Sequence, residues 1–167
     1  MPESNLERMI RLVDEVFATR ENPDQLSVSP EVMERLHNIH SSALSEFDDG
    51  HGPVAWVLLI PTTLPLMNQF LAKGITEKEL FDLTTPGVRY DALYLCSALV
   101  LEEYRRKGIV KNMVLRSIDE IRKDYPLKAL FVWPFTKEGD LAAGAIAKLA
   151  GLPLFKREDH STGQDGI

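Results

Sequence analysis

The run Ala98-Leu99-Val100-Leu101-Glu102-Glu103-Tyr104-Arg105-Arg106-Lys107-Gly108-Ile109-Val110-Lys111 decides the fold. An apolar strand ends in a basic turn that contains one glycine, and an amphipathic helix begins directly after it. A helix start leaves backbone N–H groups unpaired and carries a partial positive charge. Gly108 removes a side chain at that point, so a ligand can approach the backbone closely. Arg105, Arg106, Lys107 and Lys111 add formal positive charge, and together these features form a candidate pyrophosphate site. With one glycine, the turn matches neither a P-loop nor a dinucleotide fingerprint.

Outward from this segment, helices and strands alternate. Ala92 to Leu101 reads as a strand, and Val110, Met113, Val114, Ile118 and Ile121 follow at helical spacing until Pro126. Lys128 to Trp133 reads as a strand, Asp140 to Ala150 as a helix stopped by Gly151, and Leu152 to Lys156 as a last strand. On the N-terminal side, Ser4 and Glu7 form a capping-box pattern ahead of a stripe of Leu6, Met9, Ile10, Val13 and Phe17. Asn22-Pro23-Asp24 ends that helix, and Ser29 with Pro30 opens a second one. Ala43 to Phe47 and Val54 to Ile60 read as a hairpin closed by Asp48-Asp49-Gly50-His51-Gly52. Between the hairpin and the central strand, Thr62 to Arg89 reads as an inserted helical pair, with Gly74 as a stop and Thr76–Glu79 as another capping box. The tail from His160 on is polar and expected to fray. The expectation is one α/β domain over residues 1–167, with α+β layering. It has a mixed, mostly antiparallel sheet, helices on both faces and an insertion at about 62–89.

Composition bounds the function. Of 167 residues, 44% are hydrophobic and 26% charged, as in an ordinary globular domain with its own core. The formal net charge of −6 argues against a nucleic-acid partner, because phosphate binding needs a basic face. The lone Cys96 excludes an intramolecular disulfide. Met1-Pro2-Glu3-Ser4 lacks the basic, apolar start of a signal peptide, and the longest apolar run, Val54 to Ile60, is too short to cross a bilayer. The expected setting is cytoplasmic, with no membrane partner.

The central segment resembles the signature of the GNAT superfamily of acyl-CoA-dependent N-acyltransferases. That signature is a strand ending in valine followed by a turn of the form Q/R-x-x-G-x-G/A, and here it reads Arg105-x-x-Gly108-x-Val110 after Val100. Asp140-x-x-Ala143, in a helix ending at Ala150-Gly151-Leu152, is similar to the family's later helix, and the hairpin Phe47 to Ile60 also fits. The resemblance spans roughly Ala43 to Phe155, interrupted by the insertion. It implies a sheet splayed at an acetyl-CoA site, or one for another acyl-CoA. The backbone of Ala98, Leu99 and Val100 would hold the pantetheine arm. The turn from Arg105 through Arg106, Lys107, Gly108, Ile109 and Val110 to Lys111 would hold the pyrophosphate, with Asp140 contacting the cofactor. A small-molecule or peptide amine would attack the thioester directly, and a strand amide would stabilise the oxyanion.

Three positions depart from the pattern. Val110 replaces a small residue that ends the turn motif, and Ala147 stands where the family often has a tyrosine acid. Tyr94 stands where some members carry a glutamate base; it is the catalytic candidate, although a phenol near ~10 is a poor base at neutral pH. Simple alternation places Tyr94 on the same strand face as Cys96 and Ala98. Glu102 and Glu103 are further candidate bases, whereas His37 and His40, spaced i, i+3, read as surface residues without metal partners. The insertion is expected to cover the acceptor side. One strand after Leu152, where the family usually has two, suggests a homodimer in which a partner strand completes the sheet. The rival reading is a catalytically silent acyl-CoA-binding or interaction module on the same scaffold.

Overall fold

The computed structural model describes residues 3–19, 29–134 and 136–157. The expected Asn22-Pro23-Asp24 stop, the burial of Phe17 and the tail from His160 lie outside the described residues.

The chain order is α1 (Asn5–Thr19), α2 (Pro30–Ile39), β1 (Leu44–Asp48), β2 (Pro53–Thr62), α3 (Leu64–Leu71), α4 (Glu77–Leu83), β3 (Ala92–Val100), α5 (Ile109–Asp124), β4 (Ala129–Val132), α6 (Lys137–Ala150) and β5 (Leu154–Lys156). A single 3₁₀ turn, Glu102–Tyr104, links β3 to the basic turn before α5.

The local signals act as their chemistry requires. Ser4 Oγ accepts from the Glu7 amide at 3.1 Å and Glu7 Oε1 accepts from the Ser4 amide at 3.0 Å, which closes the first capping box. Ser29 Oγ caps α2 by accepting from the Val32 amide at 3.2 Å. Thr76 and Glu79 cap α4 reciprocally at 3.0 and 2.9 Å. Gly151 stops α6 in the left-handed conformation, φ 70°.

The strands form one five-stranded sheet in the order β1-β2-β3-β4-β5. The first two pairings are antiparallel; the last two, through the α5 and α6 crossovers, are parallel. Neighbouring residues on each strand feed opposite cores. Val57, Leu59, Leu93 and Leu130 pack under α5 and α6. Leu58, Ile60, Tyr94 and Phe131 pack under α2, α3 and α4. Met9 of α1 meets Val54 and Leu101 in a smaller third cluster.

The insertion is structural. Met67, Phe70, Ile75, Leu80 and Phe81 are all buried and complete the core on the α2 side of the sheet.

Candidate functional site

The parallel pairing of β3 with β4 runs only from Ala92–Ala129 to Leu95–Val132. Beyond Leu95, β3 stays paired with β2 as far as Val100, while β4 ends and turns away at Trp133-Pro134. Burial along β3 falls at the same point, from buried at Ala92–Tyr94 to exposed at Ala98. Past the end of β4, the outer edge of Ala98, Leu99 and Val100 therefore has no strand partner among the described residues, a gap in the sheet termed the wedge below.

The register of β2 with β3 shifts between Leu58 and Leu59, which face Ser97 and Leu95 and leave Cys96 as an extra residue. This bulge reverses the facing of the rest of the strand. Ala98, opposite Val57, lies on the α5/α6 face, and Ser97, opposite Leu58, lies on the other. The expected shared face of Tyr94 and Ala98 is thus corrected: simple alternation holds only up to the bulge.

Two cavities flank the wedge. The first, about 200 Å³, lies between β3 and α6 and is walled by Leu95, Cys96, Ala98, Val110, Gly139 and Ala143. The second, about 450 Å³, lies between the opposite face of the sheet and helices α1 and α2. Val57 and Ser97 line both. No residue of 62–89 lines either, so the expectation that the insertion covers a binding side does not match these cavities.

The basic turn stands at the rim of the first cavity, because Val110, in the first turn of α5, is part of its wall. Val110, which departs from the small residue of the turn motif, supplies apolar lining there. Arg106 (φ 63°) and Gly108 (φ 76°) are both left-handed, and Gly108 occupies the N-cap position of α5 without a side-chain cap. The amides from Arg106 to Lys111 have no acceptor among the described residues. A Cβ built on Gly108 would meet only Asn112 Nδ2 at 3.9 Å, so the glycine is required by conformation and leaves the approach open. Arg105, Arg106, Lys107 and Lys111 are exposed around it. This concave set of N–H groups with cationic side chains can hold an anion.

Other candidates fall elsewhere. Asp140 pairs with Lys156 Nζ at 2.5 Å and is not part of the cavity wall. The helix that carries it starts a turn earlier than expected, at Lys137, with Thr136 Oγ1 accepting from the Gly139 amide at 2.9 Å. Thr136, Gly139, Ala142 and Ala143 therefore face the cavity in its place. Tyr94 is fully buried, lines neither cavity, and donates its hydroxyl to Glu77 Oε2 at 2.5 Å. Burial, reinforced by the Glu77 charge, raises its pKa well above the tyrosine value, so the phenol is a fixed donor held away from both cavities. His40, expected at the surface, is a joint: its Nε2 lies 2.7 Å from Asp124 Oδ2 and its ring meets Tyr125 edge-on.

Glu102 and Glu103 do not face the cavity wall. Glu103 receives both guanidinium nitrogens of Arg8 at 2.6 and 2.7 Å, and these hydrogen bonds hold its pKa down at about 2. Tyr104 donates to Asp49, whose pKa is lowered by that bond first. Both contacts brace the segment leading into the basic turn, one to α1 and one to the β1–β2 hairpin. The Glu103 contribution is complete above the ordinary carboxylate value of 4.5 and is lost as pH falls from there towards about 2. The melting-temperature gap between the natural chain and Glu103→Gln is accordingly expected to narrow as pH falls below about 4.5 and to close only towards about pH 2, as followed by circular dichroism.

The wedge, the bulge and both cavities escape a reading by periodicity, since each depends on pairings between distant segments. Gly139 and Ala143, small residues spaced i, i+4 on one helix face, are the one local sign of the first cavity. Among the described residues, no cluster of His, Cys, Asp and Glu could hold a metal ion, and no helix is long and apolar enough to cross a membrane. No protein-family model, curated protein or solved structure matches this chain.

Proposed function

We propose that the chain is an N-acyltransferase of the GNAT type that takes acetyl-CoA, or another acyl-CoA, and an amine acceptor. The observation that carries this reading is the wedge: an unpaired β3 edge at Ala98–Val100 leads from an apolar cavity to a basic, left-handed turn at the start of α5. An extended, amide-bearing arm ending in a pyrophosphate complements that path. The arm can pair with the free strand edge, and the phosphates can accept from the amides of residues 106–111.

The second cavity, on the opposite face, shares Val57 and Ser97 with the first, so an amine held there meets an acyl group passed through the wedge. The amine nitrogen attacks the acyl carbonyl, the carbon–sulfur bond breaks, and the products are an amide and free CoA thiol. The amine proton leaves through water, and positioning supplies most of the rate gain. Tyr94 takes no part, because it is sealed against Glu77.

A silent acyl-CoA-binding module is the second reading. It is favoured by the wall of the first cavity, where Cys96 is the one titratable side chain among the described residues.

Calorimetric titration of acetyl-CoA into the full chain tests the site. Saturable one-to-one binding is expected, weakened at least tenfold in Gly108→Val, because a β-branched residue cannot hold φ 76° without strain. No binding by the natural chain would end both readings. Release of free thiol in the presence of an acceptor amine separates the enzyme from the silent module.

A further inference from the structure

The cavity between α1, α2 and the outer strands has a consistent chemistry. Its wall is largely apolar, with Ile10 and Val13 of α1, Met33 of α2, and Leu44, Trp56 and Leu99 of the sheet. Ile10 is 49% exposed and Met33 40% exposed, so the apolar faces of the two helices do not close on one another. The volume of about 450 Å³ is that of a small-ligand pocket.

Asp14, Ser45, Glu46 and Ser97 break the apolar wall. Asp14 and Glu46 are both carboxylates, and no basic residue joins them among the described lining residues. Asp14 makes no ion pair or hydrogen bond among the described residues, and Glu46 accepts from Trp56 Nε1 at 2.7 Å, which fixes its position and leaves its charge unpaired. Ser45 Oγ, buried in the same wall, has no hydrogen-bond partner among the described residues. An apolar pocket that carries negative charge without a counter-ion favours a ligand with an apolar body and a cationic end. An anion would be repelled, and a neutral ligand would gain no attraction from the carboxylates.

We propose that this cavity binds primary amines with an aromatic or branched aliphatic body, the ammonium end meeting Asp14 and Glu46 and the body filling the space among Ile10, Val13, Met33 and Trp56. That such an amine is the acceptor of acyl transfer rests on the acyltransferase reading. The binding itself does not, and it can be measured without acyl-CoA.

The experiment is calorimetric titration of the full chain at pH 7 with 2-phenylethylamine and with its neutral isostere 2-phenylethanol, repeated on the Asp14→Asn/Glu46→Gln double variant. Glutamine keeps an oxygen that accepts from Trp56, and both positions are exposed, so the variant removes charge and preserves the fold. Circular dichroism checks that it has done so. The expected result is saturable binding of the amine, at least tenfold weaker binding of the alcohol, and at least tenfold loss of amine affinity in the variant. Equal binding of amine and alcohol, undiminished amine binding in the variant, or no binding of the amine would each overturn the proposal. Failure of acetyl-CoA to bind, read in its own titration, would remove the acyltransferase reading and leave these outcomes unchanged.

Discussion

Enlarging Ala143 to leucine is expected to weaken acetyl-CoA binding about 100-fold, a loss of about 2.8 kcal/mol, without unfolding the protein. Ala143 is buried on the face of α6 that walls the wedge cavity, where Thr136 and Gly139 also meet the space. A folded protein keeps few voids larger than a water molecule, and each removes dispersion contacts from its lining. A cavity of about 200 Å³ beside the unpaired end of β3 is therefore either a packing defect or a place reserved for a ligand. Leucine separates the two. Its three extra carbons can enter the cavity and add roughly 2 kcal/mol of stability, at about 0.8 kcal/mol for each buried methylene. A reserved site loses its ligand at the same time, which is the usual conflict between stability and function. Urea unfolding and acetyl-CoA calorimetry on the same preparation give both numbers. A more stable variant that still binds acetyl-CoA as the natural chain does would mean that the cavity is a defect and that the ligand path runs elsewhere.

Those parts of the molecule governed by near neighbours were legible from the residues. Ser4–Glu7 and Thr76–Glu79 cap their helices as their spacing requires, and Gly151 and Gly108 take the left-handed conformations expected of glycine at helix boundaries. Helices on both faces and parallel pairing in the C-terminal half followed from the alternation of elements. The antiparallel share is smaller than expected, since the short strand β5 pairs parallel to β4. What resisted was governed by distant partners. The bulge at Cys96 arises from the register of β3 against β2, and no property of Cys96 itself announces it. It moved Ala98 to the face opposite Tyr94 and so separated the catalytic candidate from the strand edge that borders the cavity. The helix expected from Asp140 begins earlier, because Thr136 caps it, and Asp140 pairs with Lys156. The second cavity is built from three separate stretches of chain, around Ile10, Met33 and Trp56, none of which carries a motif.

Replacing Glu77 by leucine is expected to cost about 1–3 kcal/mol of stability, the usual penalty for leaving a buried donor without its acceptor. Glu77 is 4% exposed at the start of α4, and its Oε2 accepts from the Tyr94 hydroxyl at 2.5 Å and lies 3.9 Å from Cys96 Sγ. In the same aromatic cluster, Arg157 is 5% exposed, donates to the Ile75 carbonyl at 2.8 Å, and places its guanidinium 4.6 Å from the centre of Phe70 and 4.8 Å from that of Trp133. Leucine would leave the buried Tyr94 hydroxyl without its acceptor, and no other described residue of this apolar cluster is placed to replace it. Glutamine keeps an acceptor for Tyr94 and removes only the charge, so Glu77→Gln is expected to lose less than Glu77→Leu. Urea unfolding of the three proteins at neutral pH ranks them. The ranking bears on the site as well as on the fold. Cys96, in contact with Glu77, is also part of the wall of the wedge cavity, and Trp133 stands where β4 leaves the sheet. The cluster thus pins the two strands at the point where they part. If Glu77→Leu were as stable as the natural chain, the wedge would have to be held open by the packing of Phe70, Tyr94 and Phe131 alone.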